Sequence, residues 1–217
     1  MSRNPGDYSN GTGYGSDYEQ YSTKYKGQIE SIGWKWWDTQ TYISGTTTSL
    51  PQWFNVRGTP DLSNMEIAFQ LAAPKAFLIR AIRFFIKQRP RLVSPAGTSG
   101  AATGAIDNVA QLINTGVFVF TVGNKQYNME PLWCLTAGGG AFGMLAVGAG
   151  GAAFDSIDYA QNGIPDPRAV NTLSKPMFLP PQLNFSAVVT WPAALTLSGV
   201  NTDISFLLDG DLLRPVQ

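Results

Sequence analysis

Alternation of apolar and polar positions runs through much of this chain. In "MEIAFQL", Met65, Ile67, Phe69 and Leu71 fall on one face and Glu66, Ala68 and Gln70 on the other. That period of two predicts a half-buried strand. "FSAVVTW" repeats it, with Phe185, Ala187, Val189 and Trp191 opposite Ser186, Val188 and Thr190. "SIGWKWWDTQTYISG" crowds Trp34, Trp36 and Trp37 before settling into alternation, which predicts a strand with aromatic anchors. "VFVFTVGNKQYNM" predicts two strands turning near Gly123-Asn124. In "DISFLLDGDLLRPV", Asp209-Gly210 sits between two apolar runs, the signal of a terminal hairpin.

The stretch "PKAFLIRAIRFFIKQRPR" fits two periods. As a helix it puts Arg80, Arg83 and Lys87 on one face and Leu78, Ile82, Phe85 and Ile86 on another. As a strand it is apolar on both faces, as in a sheet covered on both sides. Its density of Ile and Phe, and the β signals around it, favour the strand. "DNVAQLINTG" predicts a short helix, with Asp107 as N-cap, Val109, Ala110, Leu112 and Ile113 apolar, and Gly116 after its end. Residues 94–106 are a loop of small residues, and "NGIPDPRAV" is a rigid turn cluster. "PLWCLTAGGGAFGMLAVGAGGAAF", residues 131–154, carries no charge and is long enough to span a bilayer. Its glycines make it small rather than greasy, so a packed or mobile surface loop is the expectation, with a membrane-facing loop as the minor alternative. No Gly-Lys-Ser/Thr follows, so it is not a phosphate-binding P-loop. The pattern totals roughly nine short strands and one short helix, without βαβ rhythm or repeats, which predicts an all-β antiparallel sandwich or barrel.

Residues 1–26 break the pattern. Tyr8, Tyr14, Tyr18, Tyr21 and Tyr25 stand among Gly, Ser, Asn and Asp, with no aliphatic residue beyond Met1. Alone, such a segment buries too little to offset its ordering entropy. It divides the chain into a polar extended N-terminal arm, 1–26, and one β domain, 27–217. One reading of the arm is a floppy terminus. The other is an arm ordered by neighbouring subunits, its tyrosines supplying adhesive area at low entropy cost. Fully extended, it reaches roughly 85 Å.

Charge changes the picture further. Fifteen basic residues balance fifteen acidic ones, and charged residues are only 14% of the chain. A near-neutral surface favours association with other copies, and general nucleic-acid affinity would want a basic excess. One cluster departs from the balance: Lys75, Arg80, Arg83, Lys87, Arg89 and Arg91 have no acid among them. Their ordinary role is a solvated face or pairing with acids of a neighbour. The alternative is contact of segment 75–91 with phosphate, of nucleic acid or lipid headgroups.

Candidate chemistry is sparse. Histidine is absent, which removes the commonest general base and transition-metal ligand. The single cysteine, Cys134, lies in an apolar run as a small buried residue, and no intrachain disulfide can form. That fits folding in a reducing cytoplasm, and the start "MSRNPGDYSN" lacks the apolar core of a signal peptide. Asp209 and Asp211 could bind Ca²⁺ or act on glycosides, but the hairpin turn already explains them. Other acids, such as Asp155, Asp158, Asp166 and Asp203, are scattered through turns, and the sequons at Asn10 and Asn184 are read as chance. No catalytic, cofactor-binding or metal residue is assigned, no cofactor is expected, and the chain is not expected to be an enzyme.

The order of features resembles that of single jelly-roll coat proteins of viruses, including tail-less bacteriophages. The matching features are the Gly/Tyr-rich arm, the Trp-rich first strand, "FLIRAIRFFI", "DNVAQLIN", the "LPP" turn before a strand, and the closing "LLRPVQ". The likeness is one of architecture over most of the body. It implies a jelly-roll-like virion structural protein, a capsid subunit made in the host cytoplasm and self-assembling into a shell. Its partners would be copies of itself and other virion proteins, around a genome or an internal membrane. The charge-balanced arm departs from the basic arms of small RNA-virus coats, which puts genome binding by the arm in doubt. The alternative is a binding module of a phage tail or spike, or a lectin-like domain, holding sugar on Trp34, Trp36, Trp37 or Trp53; core packing is the plainer role for those residues.

Overall fold

A computed structural model describes residue 21 and residues 28–87, 91–92, 105–136, 142–146, 157–161, 170–197 and 201–216. Most of it is β-structure, in two four-stranded antiparallel sheets. The first contains β1 (Ile29–Tyr42), β3 (Ala76–Lys87), β9 (Thr172–Leu179) and β11 (Thr202–Pro215), in the order β1-β11-β3-β9. The second contains β2 (Ser49–Leu50), β5 (Val117–Val122), β6 (Lys125–Pro131) and β10 (Phe185–Thr190), in the order β2-β10-β5-β6. A small third sheet joins β4 (Arg91–Leu92), β7 (Phe142–Ala146) and β8 (Ile157–Gln161) in the order β4-β8-β7. Helix α1 (Ala105–Thr115) begins at Ala105, so Asp107 lies inside it rather than capping it. A 3₁₀ turn (Leu132–Leu135) follows β6.

The expected all-β antiparallel sandwich is what forms, with the short helix α1 packed against it. Its core lies between the two large sheets, and Phe206 of β11 stands at its centre. The Phe206 ring stacks on Phe118 of the opposite sheet with centroids 4.5 Å apart, and meets Trp53 edge-on at 4.8 Å and Phe84 at 5.1 Å. Such aromatic pairs add about 0.5–1.5 kcal/mol each beyond the area they bury. β10 shows the period of two as expected: Phe185, Ala187 and Val189 are buried, as is Trp191 just beyond. α1 turns Val109, Leu112 and Ile113 into the same core. It stops at Gly116, where a β-carbon would overlap the Leu132 side chain and sit 2.8 Å from Trp191 Nε1. That Trp191 nitrogen donates to the Leu112 carbonyl at 3.1 Å, satisfying a carbonyl of the last helical turn.

β3 resolves the ambiguity of "AFLIRAIRFFI". Phe77 and Ile79 face the core before a β-bulge, and Ile82, Phe84 and Ile86 face it after. Gly210 pairs with Ile79 and Asp209 with Ala81, so Arg80 is the extra residue. The bulge shifts the inward set by one residue, which is why both faces look apolar in the sequence.

Two expected elements are corrected. Asp209-Gly210 is not a hairpin tip: β11 runs unbroken from Thr202 to Pro215 between β1 and β3. Glycine is needed at 210 because the bulged partner comes close: a β-carbon there would overlap the Leu78 carbonyl oxygen. "MEIAFQL" is not a strand. Met65 and Leu71 are buried, but Ile67 is exposed and bridges Gln70 in a tight loop, with Phe69 at φ 62°. The Phe69 amide donates to the Phe54 carbonyl at 3.0 Å and its carbonyl accepts from Phe185 at 2.7 Å. Tertiary hydrogen bonds thus override the local alternation. The Gly123-Asn124 turn forms as expected, with Gly123 at φ 58°. In the uncharged segment the described residues form the 3₁₀ turn and β7. The loop 94–104 and residues 162–169 of "NGIPDPRAV" lie outside the described residues.

One buried charge ties the loop after β2 to β1. Asp38 has no exposed side-chain surface, and its carboxylate accepts from the amides of Thr39 (3.0 Å) and Phe54 (2.8 Å) and from Arg57 Nε (2.8 Å) and Nη2 (2.9 Å). The hydrogen bond to Asp38 raises the Arg57 pKa above its ordinary value, against a smaller opposing cost of burial. A buried carboxylate so fully partnered is held in one geometry.

Candidate functional site

The outer face of the β1-β11-β3-β9 sheet carries a row of ion pairs. Across it, Lys35 pairs in register with Asp209, and Asp209 with Ala81. Asp209 forms a close ion pair with Arg83, and Lys35 Nζ stands 3.9 Å from its other oxygen. Two residues on, Asp211 accepts from Arg80 Nε at 2.8 Å. The bulge that shifts the core set also brings Arg80 to Asp211, because the extra residue lands opposite this acidic strand.

Beside these pairs lies a cleft of about 580 Å³, lined by Gly33, Trp34, Lys35, Trp37, Arg80, Ala81, Arg83, Val170, Thr172, Asp209 and Gly210. A β-carbon at Gly33 would meet no atom within 4 Å, so glycine leaves that space open. Trp34 packs edge-on against buried Trp36, centroids 6.0 Å apart, yet keeps 43% of its surface exposed. Trp37 is braced from below: its Nε1 donates to the Pro60 carbonyl at 3.0 Å and its amide to Asn64 Oδ1 at 2.8 Å. Asn64 Nδ2 in turn donates to the Lys35 carbonyl at 2.8 Å.

Along the same face, Tyr21 is seated on Ala76, Phe178 and Leu213. Its hydroxyl lies 2.5 Å from the Pro74 carbonyl oxygen and 3.1 Å from that of Leu213, and its ring meets Phe178 edge-on at 6.0 Å. The rest of the arm lies outside the described residues.

A second feature is the edge of the other sheet. Among the described residues β6 has one strand neighbour, β5. It presents Tyr127 and Met129, the latter 63% exposed, and Trp133 follows in the 3₁₀ turn at 57%.

The residues singled out from sequence are dispersed. Trp36 and Trp53 are core; Trp37 is on the cleft side of β1 with Lys35, whereas Trp34 borders the cleft but shares the face of Trp36. Of the basic segment, Lys75 pairs with Glu66, Arg80 with Asp211 and Arg83 with Asp209, all within the chain. Side chains of Lys87, Arg89 and Arg91 lie outside the described residues. Asp209 and Asp211 come together, not at a turn but as partners of arginines. Cys134 is half-buried, and burial, then the charge of Glu130, pushes its thiol pKa up. Asn184 is exposed just before β10; Asn10 lies outside the described residues. No helix among the described residues is long and apolar enough to cross a membrane. Sequence reasoning missed the cleft, because it depends on a bulge and on strands far apart in the chain. The one signal was the Trp-Lys-Trp-Trp run.

No family model, no curated protein and no solved structure matches this chain.

Proposed function

We propose that this chain is a virion structural protein, a capsid subunit that tiles with copies of itself through its β body and N-terminal arm. The observation that carries the reading is the edge at β6, which among the described residues has one strand neighbour and exposes Tyr127 and Met129. Tyr127, Met129 and Trp133 expose large apolar surface along an edge strand that, among the described residues, pairs only with β5. Lys125 and Glu130 put charge at the two ends of this edge, while the exposed Tyr127, Met129 and Trp133 between and after them form an apolar surface of the kind that favours contact with another chain. The zero net charge removes long-range repulsion between copies.

Connectivity supports the same reading. Leaving out β4, β7 and β8, the remaining eight strands follow the orders 1-8-3-6 and 2-7-4-5. First and last strands are neighbours, and the pattern is that expected of two Greek keys folded together as a jelly roll. Such a fold is shared by many functions, so the edge, not the topology, bears the weight. The internal pairing of Lys75, Arg80 and Arg83 favours a structural role for the basic segment over genome or lipid contact.

Sedimentation of the full chain tests the proposal. Assembly into large closed particles, lost on Met129→Glu with Trp133→Glu while the fold survives, is the expected result. A protein that sediments as a monomer across micromolar concentrations contradicts it.

A further inference from the structure

We infer that the first part of β1, residues 29–33, is a docking edge for the same stretch of a second copy, the two strands pairing antiparallel across a twofold axis. The inference deepens the reading of this chain as a self-associating subunit and rests on that reading for what the contact builds. The pairing itself needs only two copies, whether or not particles follow.

β1 borders its sheet, with β11 as its one strand neighbour among the described residues. Its register with β11 is unbroken, so successive residues turn their backbone groups alternately toward β11 and away from it. Trp37 fixes the phase. Its amide donates to Asn64 Oδ1 and its carbonyl accepts from the Asn64 amide, so the odd-numbered residues point away from β11. Further along, this border is covered. Asn64 Nδ2 also reaches the Lys35 carbonyl, Asp38 bridges Ser63, and Gln40 Nε2 donates to the Pro51 carbonyl. Over residues 29–33, nothing among the described residues meets the outward N–H and C=O groups of Ile29, Ser31 and Gly33.

Proteins blunt sheet borders with proline, lysine or a bulge. The opposite border of this sheet, β9, carries Lys175 and Pro176. Residues 29–33 contain no such device, and their one charge, Glu30, is already paired with Arg214 at 2.8 Å.

The spacing names the occupant. Ile29, Ser31 and Gly33 are symmetric about Ser31. With Ser31 opposite Ser31 of the second copy, Gly33 stands opposite the second copy's Ile29, and each outward N–H meets an outward C=O. Glu30 then opposes Ile32 rather than another acid, which avoids like charges face to face. Sliding the second strand toward Lys35 would drive it into Asn64, so the covered part of β1 limits the contact. Trp34, 43% exposed, stands at that limit, across from the second copy's Gln28. With no net charge on the chain, two copies meet without long-range repulsion.

The test uses Ser31→Pro, which removes an outward N–H and leaves the ladder to β11 whole, so the chain should fold. By symmetry it acts in both copies. Sedimentation velocity of the chain carrying Met129→Glu and Trp133→Glu, which disables the β6 contact, should show a dimer. Adding Ser31→Pro should weaken that dimer about tenfold or more. Independently, Ser31→Cys with Cys134→Ser should cross-link into a covalent dimer on mild oxidation. An opposed, hydrogen-bonded antiparallel pair sets its α-carbons about 5.5 Å apart, within disulfide reach. Circular dichroism verifies the fold of each variant. A dimer that persists without particles supports the β1 contact even if the shell reading fails; particles indifferent to Ser31→Pro would leave that reading standing and overturn this inference. Monomers in the β6 variant at hundreds of micromolar, or no cross-link through Ser31→Cys, also overturn it.

Discussion

Gly210 faces Leu78 across the β3–β11 ladder so closely that a β-carbon at 210 would lie 2.9 Å from the Leu78 carbonyl carbon and overlap its oxygen. The obstacle is backbone, not a side chain that can swing aside. Gly210→Ala should therefore destabilise the fold by about 3 kcal/mol, at the upper end of overpacking costs. Urea denaturation measures it. A change within a few tenths would mean that Gly210 belongs to a turn after all.

The Asp38–Arg57 pair makes a second prediction. Removing one partner leaves the other charge buried and unmatched, so Arg57→Met should cost about 3 kcal/mol, as buried pairs do when broken. Asp38→Asn should cost a similar amount, since the carboxylate also serves the Phe54 amide. Thermal or urea unfolding of the two variants, and of the double variant for coupling, checks both.

Cys134 gives a pH-dependent outcome. Burial raises the folded thiol's pKa above its unfolded value. Its contribution to stability is then fully present below the unfolded pKa and is lost as pH rises through the folded one. The folded protein should react with iodoacetamide more slowly than the urea-unfolded chain at about pH 8, where the thiolate fraction sets the rate. The gap should narrow as pH rises further. Equal rates at pH 8 would contradict the assignment.

Tyr21 separates the seat from the rest of the arm. Tyr21→Phe removes the hydroxyl contacts with Pro74 and Leu213 and should cost about 1 kcal/mol. Tyr21→Ala also empties the place over Phe178 and should cost more. Deleting residues 1–26 removes this contact as well as the arm, so deleting 1–20 is the cleaner test of assembly: the body should fold with unchanged stability and fail to form correct particles. Native mass spectrometry and urea denaturation report the two outcomes separately.

Much of the fold was legible because local pattern and tertiary burial agree. Phe185, Ala187 and Val189 alternate in sequence and all enter the core. Phe69 and Gly210 misled for opposite reasons. Phe69 sits in an alternating run, but long-range hydrogen bonds with Phe54 and Phe185 hold it in a left-handed loop conformation. Asp209-Gly210 has turn chemistry, yet its glycine answers to a bulge in a strand more than a hundred residues earlier. The cleft was invisible for the same reason: Lys35, Arg83 and Asp209 meet only through strand register. Trp36 and Trp53, equally tempting as sugar platforms in sequence, are removed from contention by burial.

Self-association is the central claim, and electron microscopy of the purified full chain at micromolar concentration tests it most directly. The account predicts closed, uniform particles that disappear when Met129 and Trp133 carry charge. A field of dispersed single subunits, unchanged by those substitutions, would contradict it.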